Sequence, residues 1–375
     1  MSSTRAASKV LFVANALEPA GAERVLIGVA SGLDRARFAP SVLCLHHMGR
    51  AASELGEGVP ARALGLPHRL PGPPLLALAR EIRRQRPDIV HTFHVNAHRW
   101  ATLAARLGGV RVVINSLQNV FPLHSRRDDL LDRACFTLAS HGIACADAVR
   151  SFYVERKRFP RPKLTTVYNA IPLERFPMRR ASRAALLEAG VPSRYPIIGT
   201  VAHLHEQKGH RYLLQAVPRV LEQFPEAAFV LVGDGALRED LERQAKAERV
   251  DHAVFFLGLR SSVAELLEGL DVFVLPSLWE GVSVALVEAL ASGAPSIATR
   301  VGGTAEIIVD GETGVLIPPR DPGAIAGAVI RLLTDPDLAA RCRTHGRRQV
   351  ESRFSQERMA RGYADVYERV AERQA

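Results

Sequence analysis

The sequence predicts an α/β protein built from two doubly wound, largely parallel sheets. Three observations carry that prediction. Short continuous apolar runs of strand length alternate with amphipathic helical stretches in both halves of the chain. The alternation restarts near residue 195, after a basic, proline-bearing connector. At 375 residues the chain is also longer than one core usually serves. Strands that are apolar throughout, rather than alternating, belong to parallel sheets covered by helices on both faces.

In order, KVLFVAN reads as a buried strand, AERVLIGVASGL as an amphipathic helix, SVLCL as a strand, LLALAREIRRQ as a helix and PDIVHTFH as a strand. A helix near NAHRWATLAARLG and a strand at VRVVINSL continue the series. The second series opens with strand PIIGTVA, followed by helix HRYLLQAVPRVLEQF, strand AAFVLVG, helix LREDLERQAKAE and strands AVFFLG and DVFVLPS. Between the two lies YNAIPLERFPMRRASRAALLEAGVPSRYP, a connector with a short helix. The expected domains are 1–178 and 179–354. Residues 355–375, which hold all but the first residue of FSQERMARGYADVYERVAERQ, form a further helix that must dock to bury its apolar stripe.

Composition narrows the function classes. With 47% hydrophobic and 23% charged residues the chain is an ordinary globular one. No apolar run reaches the roughly eighteen residues of a membrane span. The first apolar stretch, Val10 to Leu17, is cut short by Glu18 and Pro19, so neither a span nor a signal peptide is expected. Cys44, Cys135, Cys145 and Cys342 lack the spacing of a zinc or redox site and read as free thiols of a reducing cytoplasm. The net charge of +10 is unevenly placed: residues 1–175 hold 25 Lys and Arg against 13 Asp and Glu, and the remainder 24 against 26. Two basic clusters stand out, RRDDLLDR (Arg126 to Arg133) and RSFYVERKRFPRPK (Arg150 to Lys163). The second, with Arg156, Lys157 and Arg158 beside Phe152, Tyr153 and Phe159, suits either an anionic lipid surface or a solvated, Arg-rich one. No nucleic-acid module accompanies the charge, so no nucleic-acid partner is expected.

Paired doubly wound domains bind ligands at the carboxyl ends of their strands. The first strand runs into NALEPAGAERV, not G-x-G-x-x-G, and no G-K-[ST] P-loop is present, which argues against a dinucleotide dehydrogenase and P-loop ATP chemistry. In the second half, VAHLHEQKGH puts Lys208 after a strand, VGDGAL supplies glycines, and PSLWEGVSVALVE puts a carboxylate ahead of a helix. The N–H groups at that helix start, near Ser283, lack intrahelical partners and suit a phosphate, with Lys208 as a counter-charge.

These residues carry a resemblance. VAHLHEQKG, FVLVGDG, FFLG, DVFVLPSLWEG, VALVEALASGAPSIAT and VGGTAEIIVDGETGVLIPPRD, in that order, are similar to the donor-binding half of glycosyltransferase family 4. Glu280 and Glu288 match its E-x7-E motif. More loosely, AGAERVL resembles its glycine-rich donor loop, RRQRPDIVHTFH its strand-entry segment and VYNAIPLERF its interdomain hinge. The resemblance covers nearly the whole chain. It implies the GT-B fold, two facing Rossmann-like domains with a cleft between them and a C-terminal helix crossing back to the first. It also implies a retaining hexosyltransferase with no metal ion and no other cofactor. The substrates would be a nucleotide-diphosphate sugar, UDP- ahead of GDP-, and a lipid-linked or other cell-envelope glycan acceptor. The expected setting is cytoplasmic, peripheral on the inner face of the plasma membrane.

The resemblance also implies site residues. Glu280 and Lys208 are the catalytic candidates: Glu280 accepts hydrogen bonds from donor-sugar hydroxyls and Lys208 meets the diphosphate. Glu288 holds the ribose, Gly281, Val282 and Ser283 offer close backbone and an N-cap, and Gly21, Gly233, Gly235, Gly258 and Leu259 complete the donor set. Taken singly, Glu280 could instead be a charge favouring the helix dipole and Glu288 a paired surface residue. His203 stands where the family usually carries arginine, either donating a hydrogen bond or packing beside the site. On the acceptor side are His94, Gln118 and Asn119; Gln118 stands where many members have histidine, and an amide cannot act as acid or base. PAGAE and EGVSV also depart from the usual pattern. Two other classes stay open: a nucleotide-sugar epimerase of this fold, and a basic binding protein without catalysis.

Overall fold

The computed structural model describes residues 6–68, 72–120, 126–178, 182–192 and 196–374. The chain forms two compact units: one runs to Ala170 and resumes at Gln356, and the other is Ile171–Ser355.

Unit 1 contains β1 (Ser8–Ala14), α1 (Gly21–Gly32), β2 (Phe38–Cys44), β3 (Ala61–Ala63), α2 (Pro73–Gln85), β4 (Ile89–Phe93), α3 (Val95–Leu107), β5 (Val112–Leu117), α4 (Arg126–Leu138), β6 (His141–Ala144), α5 (Asp147–Glu155) and β7 (Leu164–Thr166). Its seven strands are ordered β3-β2-β1-β4-β5-β6-β7, and each pairing is parallel. Successive strand residues face opposite ways. Leu11, Val13, Val90 and Val113 form one core with Leu78, Ile82, Ala101 and Ala104.

Unit 2 contains α6 (Ala184–Glu188), β8 (Ile197–Val201), α7 (His210–Leu221), β9 (Ala228–Val232), α8 (Arg238–Ala247), β10 (Val254–Gly258), α9 (Val263–Glu268), β11 (Val272–Leu275), α10 (Val284–Ala291), β12 (Ser296–Thr299), α11 (Thr304–Ile307), β13 (Val315–Ile317), α12 (Pro322–Thr334) and α13 (Pro336–Arg353). The sheet order is β10-β9-β8-β11-β12-β13, again parallel throughout. Ile198, Phe229, Leu231, Val272 and Ile297 pack with Leu213, Val217, Ile325 and Val329 of the covering helices. Ile171 and Ser355, the first and last residues of the unit, form a parallel bridge.

The chain then re-enters unit 1 as α14 (Gln356–Glu372), which packs on α1. The approach is close because a Cβ on Gly28 would lie 3.2 Å from Met359 and one on Gly32 would lie 3.1 Å from Ala360. One turn apart on α14, Tyr363 and Tyr367 are both fully buried against the sheet. Tyr367 OH is 2.6 Å from His91 Nδ1 on β4, and Tyr363 OH is 3.1 Å from Ser116 Oγ on β5. A helix from the far side of unit 2 in sequence thus completes the sheet face of unit 1.

Candidate functional site

In unit 2, β8 and β11 lie side by side at the centre of the sheet, and the chain winds outward from them in opposite directions. Their carboxyl ends are therefore the switch point of the sheet, where a crevice opens. A 3₁₀ turn, Glu206–Lys208, follows β8; the stretch from Pro276 to the N-cap Ser283 follows β11. The two loops interlock. Lys208 Nζ donates to Glu280 Oε1 at 2.5 Å, and Ser277 Oγ donates to the same oxygen at 2.7 Å. Gln207 Nε2 donates to Trp279 O at 2.9 Å and reaches Glu280 Oε2 at 3.5 Å, while its carbonyl accepts from Leu278 N at 2.7 Å.

Glycines let these backbones meet. Gly209 has φ 65°, and a Cβ there would stand 2.1 Å from Pro276 O. Gly302, φ 50°, lies against Glu280 from the other side, its notional Cβ 1.8 Å from Glu280 O; the next residue, Gly303, donates N–H to Gly281 O at 2.9 Å. Glu280 is only 4% exposed. A carboxylate so far from water requires a cation and further donors, and here it has them.

The second glutamate lies in α10, whose first turn is capped by Ser283 Oγ accepting from Leu286 N at 3.4 Å. Apolar on nearly every side, α10 is buried almost all round, as a helix of that composition must be. Glu288 is itself 2% exposed, and Gly281 and Val282, ahead of the helix, are also buried. The structure thus brings Lys208, Glu280, Gly281, Val282 and Ser283 onto one strand-to-helix junction and the loop interlocked with it, with Glu288 farther along the helix that follows.

The other donor candidates are spread more widely. Gly233 and Gly235 have a packing reason to be glycine: a Cβ would lie 2.0 Å from Ala202 O and 2.5 Å from Leu204 O, respectively. Gly258, φ 69°, is bridged to Gly233 at the end of β10, and Leu259 beyond it is exposed. His203 is exposed in the loop after β8. His210, at the start of α7, is buried; burial, followed by the charge of Lys208, lowers its pKa to about 3, so it is a neutral ring.

Unit 1 has its own switch point between β1 and β4. Gly21 opens α1 there, exposed, and Glu23 in the first turn lies 3.1 Å from His94 Nε2. His94 caps α3 with φ 72°, an uncommon conformation for a side-chain-bearing residue. Gln118 Nε2 donates to Ser116 Oγ at 2.8 Å, and Asn119 Oδ1 accepts from Val120 N.

The proposed lipid-facing set needs correction. Lys157 is 3% exposed, ion-paired with Asp129 and 3.3 Å from Asp132. Asp132 is itself bonded to Arg99 at 2.8 Å. Lys157 therefore pins α4 to the end of α5 and faces no membrane. Tyr153 and Phe159 are likewise buried, leaving Arg156 and Arg158 exposed. Among the described residues no helix is long and apolar enough to cross a membrane.

Gln207, Ser277, Gly302 and Glu23 were not singled out from the sequence. Ser277 and Glu280 have the Ser-x-x-Glu spacing of a capping box, a usable signal, although the serine binds the carboxylate directly and the helix begins later. Gln207 had no such signal.

Comparison with known proteins follows the same division. Residues 19–175 match Glycosyltransferase Family 4 and residues 195–335 match Glycosyl transferases group 1. N-acetyl-alpha-D-glucosaminyl L-malate synthase of Bacillus anthracis is 31% identical, covering 77% of this chain and 77% of its own. UDP-Gal:alpha-D-GlcNAc-diphosphoundecaprenol alpha-1,3-galactosyltransferase of Escherichia coli is 27% identical over 70% of this chain and 71% of its own. Among solved structures, Anabaena Alr3699/HepE in complex with UDP and glucose superposes with a TM-score of 0.85 at 19% identity, covering 96% of this chain and 99% of that one. The likeness identifies the architecture as GT-B.

Proposed function

Given that the chain belongs to the group 1 glycosyl transferases of glycosyltransferase family 4, we propose that it is a retaining, metal-independent transferase moving a hexose from a UDP-sugar to a lipid-linked or other cell-envelope glycan. The observation that carries this reading is the Lys208–Glu280 pair, its carboxylate buried, at the switch point of unit 2, one loop from the capped start of α10. In this reading Glu280 accepts hydrogen bonds from the donor sugar and Glu288 from the ribose. The Lys208 ammonium and the α10 N–H groups carry the charge that develops on the leaving diphosphate. The sugar is transferred with its anomeric configuration kept, and the acceptor proton leaves to the departing phosphate. His94, Gln118 and Asn119 lie on the acceptor side, and Arg156 and Arg158 rest on an anionic membrane surface.

Support for a UDP-sugar and a lipid-linked acceptor comes from the name of the Escherichia coli relative, which carries both, and from the UDP in the Anabaena structure. The test is a thermal-shift panel of UDP, GDP and their sugars, followed by transfer of labelled sugar to a membrane extract with EDTA present. A UDP-sugar should stabilise the protein most. Transfer should survive EDTA, give the retained anomer by NMR, and fall at least a hundredfold in Glu280→Gln. Unchanged transfer in that variant would sink the site assignment, and interconversion of free nucleotide sugars without acceptor would mark an epimerase instead.

A further inference from the structure

We infer that Gln207 is a positioning residue for the donor sugar, setting the orientation of the Glu280 carboxylate; this rests on the donor-site reading above. Lys208 supplies a charge to one oxygen of Glu280, but an ammonium on a flexible stem does not fix the plane of a carboxylate. Gln207 works on the other oxygen. Its amide nitrogen donates to Trp279 O at 2.9 Å and reaches Glu280 Oε2 at 3.5 Å, so one amide ties both the backbone and the side chain of the Trp279–Glu280 step. The backbone of Gln207 holds the same segment through Leu278 N at 2.7 Å, and Gly302 backs it from behind. The amide is therefore referenced to a rigid frame.

A donor diphosphate would compete with Glu280 for Lys208, because both are anions and the lysine is the cation they share. Once Lys208 turns toward phosphate, Ser277 on Oε1 and Gln207 on Oε2 are the donors left to aim the carboxylate. The long 3.5 Å contact is then expected to shorten. Gln207 should thus matter for the sugar and hardly at all for the nucleotide.

The experiment compares calorimetric affinities for a nucleoside diphosphate and its sugar, using the pair that most stabilises the wild type in the panel, with UDP and UDP-glucose as the first probes. Gln207→Met keeps the length and removes both donors. It should leave UDP affinity within twofold and lower the melting temperature by no more than about 4 °C, the loss of one hydrogen bond to Trp279 O, while the extra affinity contributed by the sugar falls at least fivefold. Gln207→Glu, which places an acceptor where the donor stood, should lose that increment at pH 8. An unchanged increment in Gln207→Met overturns the proposal, as does parallel weakening of UDP and UDP-sugar with a larger fall in melting temperature, which would mark plain loop support. If Glu280→Gln also keeps the increment, or no nucleotide sugar binds the wild type, the donor-site reading itself fails.

Discussion

The two partners of the Lys208–Glu280 pair should not be equally costly to remove. The side chain of Glu280 is 5% exposed, whereas that of Lys208 is 19% exposed at the end of a stem that reaches water. Lys208→Met leaves a carboxylate buried without its cation, a defect that costs about 3–5 kcal/mol when nothing else compensates. Ser277 still donates to it at 2.7 Å and Gln207 still lies beside it, so the expected loss is about 2–3 kcal/mol. In a unit of this size that is a fall in Tm of about 4–12 °C. Glu280→Gln removes the buried charge and lets the lysine turn outward, costing less than about 1 kcal/mol. The double variant should recover at least half of the Lys208→Met loss while remaining inactive. The two tryptophans make the assay direct: Trp279 reports unit 2, and Trp100, on α3 of unit 1, is silenced as Trp100→Phe. Urea titrations of the four proteins complete the cycle. The reasoning is refuted if Lys208→Met is as stable as the wild type, or if the double variant is no better than Lys208→Met alone.

Other outcomes follow from the same structure. In unit 1, burial lowers the pKa of His98 to about 3 and of His141 to about 4, and that of His91 well below its usual 6.5. Being neutral in the fold and charged when unfolded, they contribute stability that is present above pH 6.5 and lost as pH falls toward the lowered values. By pH 5 His98 and His141 each account for about 2 kcal/mol, so unit 1, followed by Trp100 fluorescence, should lose about 4 kcal/mol between pH 7 and 5; a change below about 1 would contradict this. Gly302→Ala should abolish transfer and cost about 3 kcal/mol or more, because its side chain meets Glu280 O at positive φ. Gly327→Ala, in open space inside α12, should be neutral or stabilising by about 0.5–1 kcal/mol, and equal effects in the two melts would refute the distinction. Reversing Arg156 and Arg158 should reduce sedimentation with anionic vesicles at low salt, and undiminished binding would remove them from any membrane contact.

The sequence showed what repeats locally and hid what closes at a distance. Apolar runs such as IIGTV and VFVL announced β8 and β11, and the glutamate spacing announced the junction after β11. Gln207 is a polar residue in a loop, and its partners stand some 73 positions away, so no local pattern could mark it. Lys157 is buried, against either surface reading of its stretch, for a related reason. Its own stretch is a run of positive charge, and the aspartates that neutralise it arrive from α4, 25 and 28 residues earlier. Composition reports charge along the chain, whereas burial depends on charge gathered in space.

The helix from Gln356 to Glu372 also has a consequence for how the protein is made. The strands of unit 1 leave the ribosome before those of unit 2, yet their sheet lacks Tyr363 and Tyr367 until all of unit 2 has been synthesised. Unit 2 is contiguous, and its two ends, Ile171 and Ser355, are bridged, so it has everything it needs to close first. The half that begins earlier in translation should therefore mature later. Until then the polar atoms of His91 and Ser116 wait uncovered, the state in which a nascent chain is most open to chaperones and to mispairing.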